Sequence, residues 1–279
     1  PAGRKAPSAG GKASANSSKP PSTEEPPARA LVVSYYKEDV SWLRLLPPSL
    51  PWLAYAHVDV AADDDASAVP TETATHTLVN RGREASAYLA YLVQHYDALP
   101  QAMAFVMGKR IAYHNANLSA AHAPTWRNDG DLMLLLPRLR WPGVQVGSGY
   151  VPLNFQNYRC QSMVAWAKDP RWTQRGADSN FDASAVWKEL LQPFGLGPMR
   201  DVCYHCCSQF AVSREAVRLR PRRFYEQLLH LSLTPGTAHI AWLLEYTWHL
   251  IFGKPAKMAK VDRCEVVARV SCAQIRTRN

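Results

Sequence analysis

The sequence lacks several patterns that would assign a function directly. It has no Gly-x-Ser-x-Gly turn, no P-loop and no dinucleotide glycine fingerprint, which disfavours serine hydrolases, kinases and NAD-dependent enzymes. It has no run of eighteen apolar residues, so we predict neither a membrane-spanning helix nor a signal peptide within this chain. Its basic side chains are scattered, without the aromatic interleaving or zinc-finger spacing of a nucleic-acid reader, so we expect no nucleic-acid partner.

The first 27 residues contain no large apolar side chain and are rich in Pro, Ala, Gly, Ser and Lys. Such a segment cannot bury enough apolar surface to offset the entropy of ordering. We therefore predict a flexible stem over residues 1–28 and a single folded domain over residues 29–279. Because the chain begins with Pro1, we expect a processed or truncated protein whose missing N-terminal segment is its only membrane anchor, of type II topology.

Charge and cysteine usage indicate an anionic partner and an oxidising compartment. The net charge of +9 favours an acidic ligand without choosing its class. Six cysteines permit up to three disulfides, and Asn16 and Asn117 begin glycosylation triplets, so we predict the lumen of the secretory pathway, in the Golgi or ER. The alternative for the run from Cys203 to Cys207, together with Cys264 and Cys272, is a structural zinc site.

The two adjacent cysteines suggest a second structural role. Cys206 and Cys207 directly precede a predicted strand, and neighbouring residues of a strand point to opposite sides. The sequence therefore predicts that they staple two different elements. No partner histidine is apparent that would make either of them a catalytic thiol.

Apolar runs and helical periodicity alternate through the first half of the chain. Residues 31–36, 52–60 and 103–108 are typical of buried strands, and residues 83–96 of an amphipathic helix. This alternation predicts an α/β fold with a mostly parallel, Rossmann-like sheet flanked by helices. A further strand is predicted at 208–212, and further helices at 37–46, 131–139, 214–219, 224–231 and 241–252.

Ligands of parallel sheets bind beyond the carboxyl ends of the strands. That rule places three polar segments on one rim, and the segment after residue 79 also opens a helix, where free backbone N–H groups attract anions. The alternative is a capped surface helix with solvated charges. An acidic run at residues 63–65 is interpreted as a solvated loop. The rim side chains are Tyr36, Glu38, Asp39, Asn80, Arg81, Arg83, Glu84, Lys109, Arg110 and His114.

Glu245 and His249 are four residues apart on the last predicted helix and therefore share a face. A carboxylate beside an imidazole can act as a general base or bind a metal ion. The alternative is a structural hydrogen bond packed beneath aromatic side chains.

Several blocks of the sequence together resemble an uncharacterised eukaryotic family, frequent in fungi and algae, that is described only as a domain of unknown function. The resemblance covers most of residues 31–255 and implies kinship without an activity. Its blocks are VSYYKEDVSW (33–42), NRGREASAYLAYLVQHYDALP (80–100), FVMGKRIAYHN (105–115), residues 149–160, CCSQFAVSR (206–214) and EYTWHLIFGK (245–254).

A weaker similarity is to nucleotide-sugar glycosyltransferases of the GT-A fold. It implies that the segments around Tyr36 and Arg83 contact the nucleotide, that Lys109, Arg110 or His114 faces the diphosphate, and that Glu245 is the acceptor base of an inverting reaction. The Asp-x-Asp metal motif of those enzymes is absent. No metal ligand is therefore assigned, and the cofactor is left open between none and Mn²⁺ or Mg²⁺, because cationic side chains can also neutralise a leaving diphosphate.

The expected function is transfer of a sugar from a nucleotide-sugar donor to a hydroxyl of a glycan or glycoprotein. Two alternatives stay open. One is a carbohydrate-binding or scaffold protein without catalysis. The other is a metal-dependent hydrolase that uses Glu245, His249 and His114.

Overall fold

The structure is a computed structural model that describes residues 27–59, 75–112, 130–143, 149–154, 157–169 and 181–268, without the side chains of Arg263 and Cys264. Several predictions concern positions outside the described residues. These are most of the stem, the triplets at Asn16 and Asn117, the acidic run at 63–65, His114, Cys272 and most of the glycine-rich segment before Tyr150.

The strands are β1 (Arg29–Tyr35), β2 (Trp52–Val58), β3 (His76–Val79), β4 (Ala102–Met107), β5 (Tyr150–Pro152), β6 (Tyr158–Ser162), β7 (Asp201–His205) and β8 (Phe210–Ser213). The α-helices are α1 (Arg83–His95), α2 (Leu132–Leu135), α3 (Met163–Lys168), α4 (Ala183–Val186), α5 (Arg214–Val217), α6 (Arg222–Leu233), α7 (Ile240–Ile251) and α8 (Arg263–Val266). Short 3-10 turns span Ser41–Leu45, Tyr96–Ala98, Leu136–Arg138 and Gln192–Phe194, and a π-turn spans Trp187–Leu191. Among the described residues, the first half of the chain contains four strands, with α1 between β3 and β4 and a 3-10 turn between β1 and β2.

Six strands form one sheet in the order β3-β2-β1-β4-β8-β5. β1 pairs in parallel with β2 and β4, and β2 pairs in parallel with β3, whereas β8 runs antiparallel to both β4 and β5. The prediction of a mixed α/β domain with a mainly parallel sheet is confirmed. The order 3-2-1-4 is the same as the first four positions of the Rossmann strand order 3-2-1-4-5-6.

Both faces of the sheet are covered, which explains why its strands are continuous apolar runs. Along β1, Val32 faces one core cluster while Leu31 and Val33 face the other. The larger cluster contains α1, α6 and α7, and every residue of α1 from position 85 to 92 is buried. The start of α1 is therefore held firmly between the sheet and two other helices.

The order of the strands creates a crevice at one edge. From β1 the chain moves to β2 and β3 on one side, and then returns to place β4 on the other side of β1. Ligands of open α/β sheets bind at such a reversal. Because β8 is antiparallel, its N-terminal end reaches the same edge, where the Gln209 side chain accepts a hydrogen bond of 3.2 Å from the Met107 backbone N–H.

A second, two-stranded sheet lies between β5 and β8 in the chain. β6 and β7 are antiparallel, and Cys160 stands opposite Cys203 in their register. These two cysteines form a disulfide. A short turn then leads from β7 directly into β8, so the small sheet ends beside the crevice of the large one.

Two predicted helices are shorter than expected. The helix at 37–46 is reduced to the 3-10 turn Ser41–Leu45, since Lys37 has a left-handed φ of 63° that no α-helix continues. The helix at 131–139 is divided into α2 and a 3-10 turn that contains Pro137, whose ring disfavours a longer α-helix. Among the described residues, no helix is long and apolar enough to cross a membrane.

Candidate functional site

Four polar side chains meet where β1, β2 and β3 end, and we call Tyr36, Lys37, Asp59 and Asn80 the edge cluster. The Tyr36 hydroxyl donates a short hydrogen bond to the Asp59 carboxylate. Asn80 Nδ2 donates to the other carboxylate oxygen at 2.7 Å, and Lys37 Nζ lies 3.6 Å from the carboxylate. The Tyr36 and Asn80 hydrogen bonds, with a smaller contribution from Lys37, hold the pKa of Asp59 below its usual value.

Asp59 was not among the predicted site residues. The predicted strand of residues 52–60 includes Asp59. The observed strand ends at Val58, which puts Asp59 directly after a carboxyl end. Applying the rim rule to the first residue after the observed β2 finds Asp59.

A second group of side chains lies at the N-terminus of α1, and we call Arg83, Glu84, Cys207, Trp242 and Glu245 the acid pocket. Asn80 and Arg83 are three residues apart, so their Cα atoms lie within about 11 Å. The acid pocket is therefore adjacent to the edge cluster on the same edge of the sheet.

Gly82 determines how α1 enters the acid pocket. It has a φ of 68°, and a Cβ atom at this position would lie 2.7 Å from the Ser232 carbonyl oxygen and 2.8 Å from the Ser232 Cβ. Only glycine combines this conformation with so close an approach to the end of α6. The close contact places the first residues of α1, Arg83 and Glu84, next to α7.

Removal from solvent is the main influence on the carboxyl groups of Glu245 and Glu84. Burial, with a further contribution from the negative charge of Glu84, raises the pKa of Glu245 to about 7. Burial also raises the pKa of Glu84, whose carboxyl group is enclosed although the residue as a whole is only partly buried. The nearby Ser208 hydroxyl and Arg83 oppose this shift in Glu84. When Glu84 is ionised, its negative charge therefore opposes ionisation of Glu245.

Arg83 and Trp242 form the cationic and aromatic side of the pocket. The Arg83 guanidinium carbon lies 4.7 Å from the centre of the Trp242 ring, within the range of a cation–π contact. The Arg83 charge also slightly lowers the pKa of Glu245. The contact between Arg83 and Trp242 joins the start of α1 to α7. The roles assigned to Arg83 and Glu245 stay predictions.

The prediction for Cys206 and Cys207 was wrong. They do not staple two elements, because they form a disulfide with each other. They lie in the turn between β7 and β8, where Cys207 and Ser208 have left-handed φ values of 77° and 49°, and the alternating geometry of a strand does not apply. Cys203 forms a disulfide with Cys160, so its sulfur atom is not a free thiolate ligand, as the alternative of a structural zinc site requires.

Hydrogen bonds fix this turn against the pocket. The Cys207 N–H donates to Glu245 Oε1 at 3.2 Å, and the Cys206 N–H donates to the Asn157 carbonyl oxygen at 3.0 Å. Asn154 Nδ2 donates to the carbonyl oxygens of both cysteines, at 2.9 and 3.2 Å. Residues that are distant in sequence thus hold one backbone amide on the Glu245 carboxyl group.

Within the part of the chain that the structure describes, two buried hydroxyl groups beside Glu84 have no partner of normal hydrogen-bond geometry. They are Tyr88 Oη and Ser208 Oγ. The charge of Glu84 acts on Tyr88, where it adds to the effect of burial in raising the pKa of that phenol. Buried polar atoms are usually hydrogen-bonded, so two exceptions beside a desolvated acid distinguish this part of the core.

Other predicted residues have local partners. Arg110 makes a two-point contact with Asp131, at 2.9 and 2.7 Å, and Asp131 in turn caps α2. Arg81 Nη1 donates to the Leu233 carbonyl oxygen at 3.3 Å. Glu38 accepts the Tyr36 N–H at 2.5 Å, and Asp39 accepts the Ser41 N–H at 2.8 Å. Lys109 is exposed after β4.

His249 is on the same helix as Glu245 but has different contacts. Its Nε2 lies 3.2 Å from the Ala256 carbonyl oxygen, and its ring stacks on Tyr204. Burial lowers its pKa to about 4, so the imidazole is neutral at physiological pH. The shared helix face therefore does not produce a Glu–His hydrogen bond: Glu245 accepts from Cys207, and His249 lies against the segment after α7.

The fold and the site together define a mixed α/β domain with a polar crevice and an enclosed pair of carboxyl groups at the carboxyl edge of its sheet. Residues 31–273 match the family described as Protein of unknown function (DUF3431), and the chain belongs to that family. Comparison with curated proteins and comparison with solved structures each gave no match. The two disulfides indicate an oxidising environment, secreted or lumenal.

Proposed function

We propose that this protein is a glycosyltransferase that moves a sugar from a nucleotide-sugar donor to a hydroxyl group of a glycan or glycoprotein. The observation that carries the proposal is Glu245, an enclosed carboxyl group with a pKa of about 7 beside the crevice of a 3-2-1-4 sheet. A general base is most effective when its pKa is close to the working pH. Glu245 would take the proton of the acceptor hydroxyl as that oxygen attacks the sugar carbon.

The edge cluster is the proposed site for the nucleotide. Asp59 and Asn80 present oxygen and nitrogen atoms at the end of β2 and β3, where ribose and base can form hydrogen bonds. Tyr36 offers an aromatic ring that is only partly buried. Since the two groups are adjacent, a donor bound here directs its sugar toward the acid pocket.

The diphosphate needs positive charge when the sugar bond breaks. Lys37 and Arg83 lie in the two groups that flank the proposed donor, and Lys109 follows β4 at the same edge. Arg110 contributes less, because Asp131 already neutralises it. The proposal therefore relies on side-chain cations for the leaving group, and dependence on Mn²⁺ or Mg²⁺ is one variable of its test.

The wider setting of the proposal is a GT-A-like enzyme in the lumen of the Golgi or ER. The order of the strands and the antiparallel β8 support a sheet of this general kind. The disulfides fit a lumenal location.

The proposal is tested with residues 27–279 purified with their disulfides intact. We expect one nucleotide sugar from a panel, tried with and without Mn²⁺, to raise the melting temperature, since a ligand of the native state stabilises it by mass action. With that donor and an acceptor panel, Glu245→Gln should retain donor binding and lose transfer by about 10²- to 10⁴-fold. The matched control is Glu189→Gln on the exposed π-turn, which should behave like the wild type.

Three results would overturn the proposal. If no nucleotide stabilises the folded protein but oligosaccharides do, the chain is a carbohydrate-binding protein. If Glu245→Gln transfers sugar at the wild-type rate, Glu245 is not the base. If hydrolysis depends on a tightly bound metal ion, the chain is a metal-dependent hydrolase.

A further inference from the structure

The vicinal disulfide and Glu245 place three potential metal-ligand atoms at one point. The two sulfur atoms of Cys206 and Cys207 and a carboxylate oxygen of Glu245 all lie within 4.8 Å of one another. In the present oxidised state the sulfurs are bonded to each other and are not available to a cation. The same atoms have a different chemistry once that bond is reduced.

Two thiolates and one carboxylate form a ligand set for a thiophilic divalent cation. In tetrahedral zinc sites the metal–sulfur distance is about 2.3 Å and the metal–oxygen distance about 2.0–2.2 Å. Ligand atoms around one such ion are therefore about 3.5–3.8 Å apart, which is within the observed spread of these three atoms. Only the two sulfurs have to separate.

A neighbouring amide group can orient the Cys207 sulfur. Asn157 Nδ2 donates a hydrogen bond of 3.8 Å to Cys207 Sγ. Outer-shell donors of this kind orient metal-binding sulfur atoms and stabilise their negative charge. Cys207 is partly exposed whereas Cys206 is buried, so a reductant and a cation can approach from the Cys207 side.

We infer that Cys206, Cys207 and Glu245 form a redox-gated binding site for a thiophilic divalent cation such as Zn²⁺, closed by the disulfide and opened by a dithiol reductant. In the opening step the S–S bond takes two electrons and two protons from the dithiol, which leaves as a cyclic disulfide. In the binding step the cation replaces the two thiol protons, which pass to solvent. The site does not depend on the proposed sugar transfer, and it shares Glu245 with it.

Cadmium is a suitable probe, because its bonds to thiolates absorb in the near ultraviolet. The protein is reduced with a dithiol, freed of reductant under nitrogen and titrated with Cd²⁺. We expect one ion per chain at the site, no thiolate absorbance in the oxidised protein, and an affinity at least about tenfold lower in Glu245→Gln. The double variant Cys206→Ser, Cys207→Ser should lose this absorbance.

Alkylation identifies the cysteines without any substitution. Reduced wild-type protein is treated with iodoacetamide, with and without Cd²⁺, and the modified peptides are measured by mass spectrometry. We expect Cd²⁺ to protect Cys206 and Cys207, and not Cys160 or Cys203.

Any of three results would overturn the inference. One is equal Cd²⁺ binding before and after reduction. Another is alkylation of Cys206 and Cys207 that Cd²⁺ does not change. The third is wild-type affinity in Glu245→Gln, which would show a dithiol site without the carboxylate. Because the readouts are metal binding and alkylation, a failed transferase test leaves them unaffected.

Discussion

The edge cluster and the acid pocket are neighbours on one edge of the sheet, yet their electrostatics are opposite. In the edge cluster Asp59 is exposed and accepts hydrogen bonds from Tyr36 and Asn80, so its pKa is lowered. In the acid pocket Glu245 and Glu84 are desolvated, so their pKa values are raised. The ionised Asp59 carboxylate is therefore stabilised by hydrogen bonds in the folded protein. The carboxyl groups of Glu245 and Glu84 keep their protons in the folded protein at pH values at which they would ionise in water.

This difference separates binding from chemistry. Groups that are exposed and paired contribute little to stability and can exchange their partners for those of a ligand. A buried acid with a raised pKa destabilises the folded state at neutral pH, and such groups are concentrated at functional sites. The raised pKa values of the acid pocket lower the stability of the folded protein. We therefore assign the reaction to the acid pocket and not to the edge cluster.

The largest effect that tests the comparison is the pH dependence of stability. The pKa of Glu245 is about 7 in the folded state and near 4.5 ordinarily, so the folded state binds this proton more tightly. The free energy of unfolding should therefore fall as pH rises from about 4.5 to 7, by about 3 kcal/mol from this group, and Glu84 acts in the same direction. His249, whose pKa burial lowers to about 4, acts in the opposite direction over nearly the same pH range. The contribution of Glu245 is therefore measured by urea unfolding at pH 5 and pH 8 as the difference between the wild type and Glu245→Gln.

Glu245→Gln removes the ionisable carboxyl group. The free energy of unfolding should therefore decrease less with rising pH in this variant than in the wild type. The control is Glu189→Gln, which removes an exposed carboxylate and should leave the decrease as it is. Equal pH dependence in both variants would show that Glu245 is solvated in solution.

The second prediction concerns the placement of the acid pocket. Gly82→Ala forces a left-handed alanine against the Ser232 carbonyl, and we expect a loss of about 2 kcal/mol in the free energy of unfolding. Gly195→Ala is the matched control, since Gly195 also has a positive φ, of 87°, but its Cβ would meet only the Arg220 side chain, at 3.2 Å. There we expect about 1 kcal/mol. An equal loss in both variants would mean that the close approach to α6 has no effect.

The third prediction concerns the charge balance of the pocket. Arg83 lowers the pKa of Glu245, so Arg83→Met should move the acid limb of the pH–rate profile to higher pH, by less than about one unit. Arg83→Lys keeps the charge and should keep the profile. Arg81→Met is the control, because Arg81 contacts the end of α6 instead. A profile that moves as much in Arg81→Met would assign the shift to net charge alone.

The smallest structural effect is expected in the edge cluster. Lys37→Ala removes an exposed ion pair with Asp59, and we expect no measurable change in thermal stability. The affinity for the stabilising nucleotide sugar should fall a few-fold and become less dependent on salt, because one phosphate contact is lost. Lys188→Ala, on the exposed π-turn, should change neither property. An unchanged affinity in Lys37→Ala would remove Lys37 from the donor site.

The sequence was sufficient for the parts of the fold that depend on local pattern. Continuous apolar runs identified β1, β2 and β4, and a 3.6-residue period identified α1 and α7, within a few residues of their observed ends. The short strands β3, β5, β6 and β7 were missed, since each is stabilised by pairing with distant partners and not by its own composition. The antiparallel orientation of β8 in the sheet likewise depends on long-range contacts.

Prediction of the site was limited for the same reason. Arg83, Glu84 and Glu245 were named, but the enclosure that raises the pKa of Glu245 comes from α1, α7 and the turn before β8 together. The Cys206–Cys207 bond depends on the backbone turning left-handed at Cys207, and a strand interpretation excludes that conformation. The sequence contains one signal for such a turn. It is the segment Cys-Cys-Ser-Gln, which directly precedes an apolar strand.

The Cys160–Cys203 disulfide also changes how freely the chain between β5 and β8 can vary. Those two strands pair directly, although residues 153–209 separate them in the sequence. The disulfide joins β6 to β7 across a separation of 43 residues, and in the chain-entropy model a loop of that size contributes about 4 kcal/mol against unfolding. The disulfide ties the two ends of residues 161–202 together, so the covalent path that holds Cys207 against Glu245 does not depend on the length of the chain between Cys160 and Cys203.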